Sequence, residues 1–442
     1  MYMIAFRSRG SATEKYIYHS SYIDPSDKAL EPKLNFEDNK AGSVEFKIPP
    51  THPYYDSISN EIFKATVFVY RDTEMVWSGS SSHGSKNIWQ GRIVSVEKDF
   101  IGNKSVRVEG VLTYFNDSYQ INGTYTNSTL ESFIESVLSV HNASVTDDRK
   151  VYKGTIDPSL DPVDPTASTI TPRRADRYTD YEKTMDVFSS LINDYGGHMY
   201  VTIDNDKTHS TYGKPLLNYR NIKLDQDLSL TNNQVINFGD NLLDYVETQD
   251  YSDFASVILP LGDSKDSDDE NHRSYVTLDD LPSGATIPTG FSRTGKYLIK
   301  TEEYNKFGWV CTDKSWNEVT DPSELLKEAA RYLKELQNNL ITLKVKAVDL
   351  HYLDTSIDAF RFLDVIHVTS VPHKVNKNFL VTKLNIRLDD PTSSEVELGA
   401  IVAQPLTNTV AKNTTAYRTN ISKGGSIAVM SSADVDNATP LN

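Results

Sequence analysis

Trp89-Gln-Gly91-Arg-Ile93-Val-Ser-Val96, a turn around Gly102-Asn103, and Ser105-Val-Arg-Val-Glu109 form the stretch on which the fold turns. The last run alternates valine with polar residues, so one face of it is apolar and the other wet. Glycine and asparagine between two such runs suit a tight antiparallel connection. The stretch therefore predicts a β-hairpin with one buried face. Phe362 to Ser370, a loop at His373 to Asn378, and Phe379 to Leu388 follow the same plan. Working outward, Val44-Glu-Phe46-Lys-Ile48 and Thr66-Val-Phe-Val-Tyr70 read as further strands, rich in residues that fit a pleated surface. Two β-modules of similar plan are expected; they match in pattern and not in residues, so a repeat stays open.

Three stretches carry the helical period instead. Ser128 to His141 sets Ser128 three residues before Glu131, a capping-box spacing, and aligns Leu130, Phe133, Ile134, Val137 and Leu138. Glu182 to Tyr195 aligns Met185, Phe188, Leu191, Ile192 and Tyr195, then stops at Gly196-Gly197, which suit a left-handed cap. Asp321 as N-cap, Pro322 at the first helical position and Glu324 open the third, with Leu325, Leu326, Ala329, Leu333, Leu336 and Leu340 in one stripe. The fold class expected is α+β, β-rich and multidomain.

The chain has 442 residues, which at roughly 100–200 residues per domain gives about two to four domains. It carries 45 Lys and Arg against 61 Asp and Glu, a formal −16, which argues against a nucleic-acid binder held by phosphate contacts. The single cysteine, Cys311, cannot form an intrachain disulfide, so folding in a reducing compartment is expected. Met1 to Arg9 lacks the apolar core of a secretory signal, and no window is long and apolar enough for a membrane span. The triplets Asn122-Gly-Thr124 and Asn127-Ser-Thr129 are therefore chance products of a chain rich in Asn, Ser and Thr.

Residues 157–172 hold Pro158, Pro162, Pro165 and Pro172 in a polar run, an extended connector that cannot donate fully to a ladder. Asp263 to Glu270 is a charged loop after the apolar Val257-Ile-Leu-Pro-Leu261. Beyond Gly399 the apolar periodicity fades into a polar, Thr- and Asn-rich arm.

No catalytic constellation emerges. Gly290-Phe-Ser-Arg-Thr-Gly295-Lys296-Tyr297 approaches a phosphate loop, but Tyr297 stands where a hydroxyl must meet magnesium, and strand-like sequence follows where a helix is needed. A calcium loop starting at Asp263 would need a turn glycine where Asp268 stands and a bidentate glutamate where Ser274 stands. No His-Glu-x-x-His pair occurs, and His351 and His367 lie in strand-like runs where sheet packing is expected. Gly79-Ser-Ser-Ser-His83-Gly84 is a flexible tip, since a nucleophile elbow needs glycine in place of His83. Cys311, in Trp309-Val-Cys-Thr312, is expected to be a buried inert thiol. Arg173, Arg174 and Arg177 are expected to serve as local salt-bridge partners rather than as a nucleic-acid patch. Catalytic residues, cofactor-binding residues, metal ligands and cofactors are accordingly all expected to be none.

The string Val235-Ile-Asn-Phe-Gly-Asp-Asn-Leu-Leu-Asp-Tyr245, followed by Tyr251-Ser-Asp-Phe-Ala-Ser-Val-Ile-Leu-Pro-Leu-Gly262, resembles the central signature of the phage tail-tip family called prophage endopeptidase tail, or tail-associated lysin. Trp89-Gln-Gly91, Glu109-Gly-Val-Leu-Thr-Tyr-Phe-Asn-Asp-Ser118, the helices before Gly196 and from Asp321, and Val348-Asp-Leu350, Leu363-Asp-Val-Ile366, Val371-Pro372, Asp390-Pro391 and Leu398-Gly399 follow in family order. The matches span about 85 to 400; the acidic insert after Gly262 and the proline-rich 157–172 depart from the pattern.

The resemblance implies a fold similar to the baseplate hub of contractile-tailed phages, with two tube-like β-barrel modules joined by smaller α/β pieces. On this reading 1–118 with 200–240 form the first module, 119–199 an α/β connecting domain, 241–310 with 341–402 the second module, 311–340 a linker strand and helix, and 403–442 a polar C-terminal arm. It further implies a homotrimeric ring that closes the tail tube, docks to a distal tail ring and other tail-tip proteins, and takes part in host attachment and DNA ejection. DNA would only pass through, eased by acidity, and the bacterial surface is a further expected partner. In many members lytic modules are appended after the hub, so no catalytic residue carries over and no enzyme activity is expected. The alternative is a cell-wall-degrading or glycan-binding tail protein.

Overall fold

In the computed structural model the described residues are 2–19, 28–72, 85–163, 169–222, 232–249, 251–265, 274–317, 319–338, 341–354 and 356–399. The seven strands of the first stretch are β1 (Tyr2–Arg7), β2 (Lys15–His19), β3 (Leu30–Glu37), β4 (Ser43–Ile48), β5 (Thr66–Asp72), β6 (Ser85–Lys98) and β7 (Lys104–Gly110). A connecting segment follows, with β8 (Gly123–Ser128), α1 (Leu130–Ser144), β9 (Tyr152–Ile156), β10 (Ala175–Thr179), α2 (Thr184–Tyr195), β11 (His198–Ile203) and β12 (Pro215–Arg220). Then come β13 (Ile236–Asn237), β14 (Leu242–Gln249), β15 (Val257–Leu261), β16 (Phe291–Thr294), β17 (Tyr297–Lys300), α3 (Thr301–Phe307), β18 (Cys311–Ser315) and α4 (Pro322–Asn338). The last four strands are β19 (Ile341–Ala347), β20 (Val365–Ser370), β21 (Val375–Arg387) and β22 (Glu395–Gly399).

Both predicted hairpins form: β6 pairs with β7, and β20 with β21, through a loop shorter than the sequence suggested because pairing resumes at Val375. Their strands join a single thirteen-stranded sheet in the order β14-β19-β22-β21-β3-β4-β7-β6-β5-β1-β2, with β13 added through β20. The strands expected to build two separate β-modules thus share one continuous sheet. β21, 13 residues long, reaches past β22 and pairs Lys383 to Arg387 with Glu37 to Lys33 of β3. One apolar core runs beneath both halves, from Ile4, Ile17, Leu34 and Val108 to Val345, Val368, Leu384 and Leu398.

Trp89 explains the spacing of its neighbours. Gly91 and Gly110 face each other across β6 and β7, and the Trp89 indole lies against both and against Gly42. Side chains at those glycines would occupy the indole's place.

Residues 200–220, grouped above with the first β-module, lie with β9 in a separate three-stranded sheet, in which β11 is antiparallel and β9 parallel to β12. Asn218 Oδ1 accepts from Thr155 N at 2.9 Å and ties that sheet across. Residues 257–300, expected with the second module, form a small lobe with the predicted linker strand, in the order β16-β17-β15-β18. The buried stripe Leu325, Leu326, Ala329 and Leu333 of α4 packs there against Ile258, Leu298 and Trp316. Leu340 of the expected stripe lies outside the described residues.

The helix ends follow the sequence with one exception. Asp321 Oδ1 accepts from Ser323 N at 2.8 Å, and Gly196 and Gly197 close α2 at φ 69° and 80°. The cap of α1 is Thr129, whose hydroxyl accepts from Ser132 N at 3.2 Å, and not Ser128. Ser128 is committed elsewhere, donating to Tyr125 O and Ala175 O in the β8–β10 pair. No helix among the described residues is long and apolar enough to cross a membrane.

Candidate assembly surface

The strand alternation that fills the core leaves a second, polar face on the same sheet. Leu384, Phe36 and Leu34 point one way, so Lys383, Asn385, Asn35 and Lys33 point the other. Followed strand to strand, the charges on this face largely alternate in sign. Asp244 stands opposite Lys346, Lys346 opposite Glu395, Lys383 between Glu397 and Glu37, Lys33 opposite Glu45, and Glu45 opposite Arg107. Lys346 and Glu395 form an ion pair at 3.0 Å. Where like charges meet, at Arg387 and Lys33, Asp389 accepts from Arg387 at 3.1 and 3.3 Å. Opposite charges across a ladder stabilise it modestly, and this ladder continues over the β3–β21 seam. A shallow pocket of about 290 Å³ opens on it between Asp244, Lys346, Lys383, Asn385, Glu395 and Glu397.

Among the described residues the face ends at β14, which pairs with β19 and with no other strand. An edge strand offers unpaired backbone to another chain. A bulge between Leu242 and Asp244 lets Leu242 and Tyr245 pack on the core. Leu243 and Val246 are 67% and 50% exposed, apolar residues on an edge that no described strand covers.

The turn before β14 is held firmly. Gly239 adopts φ 97°, open to glycine, and the buried Asn241 accepts from Asn237 N at 2.9 Å and donates to Val235 O at 3.1 Å. Tyr245 stacks on His373 at 4.2 Å. Behind it, Asn232 Nδ2 donates to Asp364 Oδ2 at 2.8 Å and Gln234 Nε2 to Asp349 Oδ1 at 3.1 Å. Burial raises the Asp364 carboxyl to about 6, a rise that the Asn232 bond partly offsets. Folded Asp364 therefore keeps a proton that the unfolded chain has released, and its contribution to stability is lost as pH rises from near 3.8 through about 6. Asp364→Asn is expected to stabilise the protein by about 2 kcal/mol more at about pH 7.5 than at about pH 4.5. Urea midpoints of both proteins at both pH values test this, and an equal effect at the two would refute it.

The other residues singled out by sequence fall apart in space. Gly290 to Tyr297 is the turn of the β16–β17 hairpin, with strands on both sides. His367 lies on β20 and bonds Asn378 and Asn376 at 2.8 and 2.9 Å, as sheet packing predicts. His351, expected in a strand, sits in the helical turn Leu350–Tyr352, because Asp349 accepts from His351 N at 3.1 Å and caps that turn. Cys311, expected buried, is exposed, since β18 lies at the border of its sheet; burial of part of the side chain and the nearby Asp313 push its thiol up. Arg173 and Arg177 do pair locally, both with Asp161. Residues 79–84, 266–270 of the acidic loop and 403–442 lie outside the described residues. Among the described residues no group of three or more His, Cys, Asp or Glu is placed to hold a metal. Leu243 and Val246 were missed as surface residues, although apolar residues in both phases of Leu242 to Val246 are the sign of a strand with two apolar faces.

With the edge strand, its turn and the closing strands in place, the match to known families is explicit over this segment. The family described as prophage endopeptidase tail matches residues 230–404 of this chain. No curated protein matches the chain by sequence. Solved structures match its fold. The 43 kDa tail protein of prophage MuSo2 from Shewanella oneidensis is 10% identical at a TM-score of 0.55, covering 91% of this chain and 99% of its own. A tail protein from Neisseria meningitidis MC58 is 12% identical at 0.53, covering 90% and 96%. Prophage tail protein gp18 from Listeria monocytogenes EGD-e is 14% identical at 0.50, covering 96% and 100%. The fold shared with these proteins thus extends beyond the prophage tail region to nearly the whole chain.

Proposed function

We propose that this protein is a structural hub at the tip of a phage or prophage tail, part of the virion and not an enzyme. The observation that carries the reading is the continuous sheet with one apolar face, one charge-paired face and an open edge at β14. Three copies forming a ring follow from the family resemblance, and the edge supplies a means of joining them, since a heterologous contact repeated around an axis closes a ring. In that ring each copy would contribute the two β-modules, and their outer ends would dock to a distal tail ring and other tail-tip proteins. The charge-paired face suits the wall of a DNA passage: lysines and arginines already opposed by carboxylates leave little unneutralised positive charge to hold phosphates. Contact with the host surface would then precede release of DNA through the ring.

Light scattering of the purified chain, 49.7 kDa per subunit, is the test. A species near three times that mass is expected, and Leu243→Lys with Val246→Lys is expected to leave monomers by placing charge on the edge. A parent chain that stays monomeric at every concentration, or a trimer indifferent to both lysines, would remove β14 as the joining edge.

A further inference from the structure

The small lobe carries a band of rings that its own fold leaves half uncovered. Tyr251, Tyr304, Phe307 and Trp309 are 45%, 39%, 49% and 50% exposed. They touch in series: Trp309 meets Tyr304 at 6.3 Å, Phe307 meets Tyr251 at 5.8 Å, and Tyr304 and Phe307 lie one turn apart on α3. The helix that presents them has no buried residue at all. Phe307 meets the buried Phe254 at 4.8 Å, yet it and Tyr304 keep a large part of their rings open to the outside.

The rings are nonetheless held in place. Gly308 caps α3 at φ 76°, Ser256 Oγ donates to Gly308 O at 2.6 Å and accepts from Val310 N at 3.0 Å, and Ser256 N donates to Val310 O at 2.9 Å. A platform fixed in advance costs little ordering when a ligand arrives.

The chemistry between the rings narrows the ligand. Glu302 pairs with Lys306 at 2.5 Å and Glu303 with Lys300 at 3.1 Å, so these four charged groups beside the band neutralise one another. A polyanion finds no free cation among these pairs. A protein interface core would be depleted of charge, yet here charged side chains stand among the rings. A neutral ligand with an apolar C–H face and a rim of hydroxyls fits both parts, since ring faces are electron-rich and attract polarised C–H groups while the paired ions accept and donate at the edge.

We propose that this band binds a neutral saccharide chain. The proposal is independent of ring formation and gives the protein a direct contact with a polysaccharide surface.

The probes are the hexamer of N-acetylglucosamine and the hexamer of glucose, titrated into the full chain by calorimetry and tryptophan fluorescence. Saturable binding of at least one is expected, weakened roughly tenfold or more by Trp309→Ala and, separately, by Tyr304→Ala. Circular dichroism confirms that each variant is folded, and Tyr304→Ala serves if Trp309→Ala does not fold. The Leu243→Lys, Val246→Lys protein is expected to bind as the parent does, which separates this site from the assembly edge. No binding of either hexamer at up to about 10 mM, or binding that survives both ring substitutions, overturns the proposal. If Trp309→Ala instead lowers the mass in light scattering while the parent binds no saccharide, the band is a contact between copies, and the saccharide site is refuted while the hub reading stands.

Discussion

Asp161→Ala is expected to destabilise the protein by about 3–5 kcal/mol, because it strands buried cations. Asp161 is 4% exposed, and Arg177, 2% exposed, donates to its Oδ2. Arg173 Nε lies 3.0 Å from Oδ1 of the same carboxylate, and Arg173 N donates to the Asp161 carbonyl at 2.7 Å. One carboxylate therefore serves two guanidinium groups where water hardly reaches, and removing it leaves both without their main counter-charge. Arg173 also reaches Glu324 of α4 at 3.3 Å, so the loss is transmitted to the docking of the small lobe. Urea denaturation at neutral pH measures the effect. Asp161→Asn keeps an acceptor and is expected to fall between parent and alanine variant; a loss under about 1 kcal/mol for alanine would mean that the arginines find solvent, as surface pairs do.

Gly110→Ala is expected to cost about 3 kcal/mol or more, at the upper end of overpacking effects. The reason is space and not dihedral angle, since Gly110 has φ −72°. A Cβ there would overlap the Ala41 carbonyl oxygen and stand 3.2 Å from Trp89 Nε1. The carbonyl belongs to the β3–β4 connection beside Gly42, whose O accepts from Gly110 N at 3.1 Å, so relief requires moving a strand connection rather than a rotamer. The thermal midpoint reads the result; a variant as stable as the parent would show that the Ala41 loop yields freely.

What the sequence discloses here depends on how local the cause is. Period-two alternation in Ser105 to Glu109, the Asp321-Pro322 helix start and the glycine pair after Tyr195 each settle their own neighbourhood, and each forms as read. Arg173 and Arg177 were legible as ion-pair partners because buried guanidinium groups need counter-charge, although Asp161 as their shared partner was not, and Arg174 donates instead to Asn127 O at 3.1 Å. The pairing of β21 with β3 was not legible, because strands some 350 residues apart carry no mutual signal in composition or period. The displacement of β11 and β12 into their own sheet has the same origin. The exposure of Cys311 was misread because an apolar tripeptide looks alike at the centre and at the border of a sheet.

The seam between β3 and β21 has a consequence in time. Leu34 and Phe36 meet Ile386 and Leu384 only after some 350 further residues have emerged from the ribosome, and Tyr18 reaches Leu388 O across 370 residues. Contacts so distant in sequence require loop closure before they return any stabilisation, so they form late. The first seven strands must wait as an incomplete sheet, with β3 open on one side, until β21 arrives to cover it. Completion of the β3 edge is then a late event of folding, and it is the event that joins the two halves of the charge-paired wall.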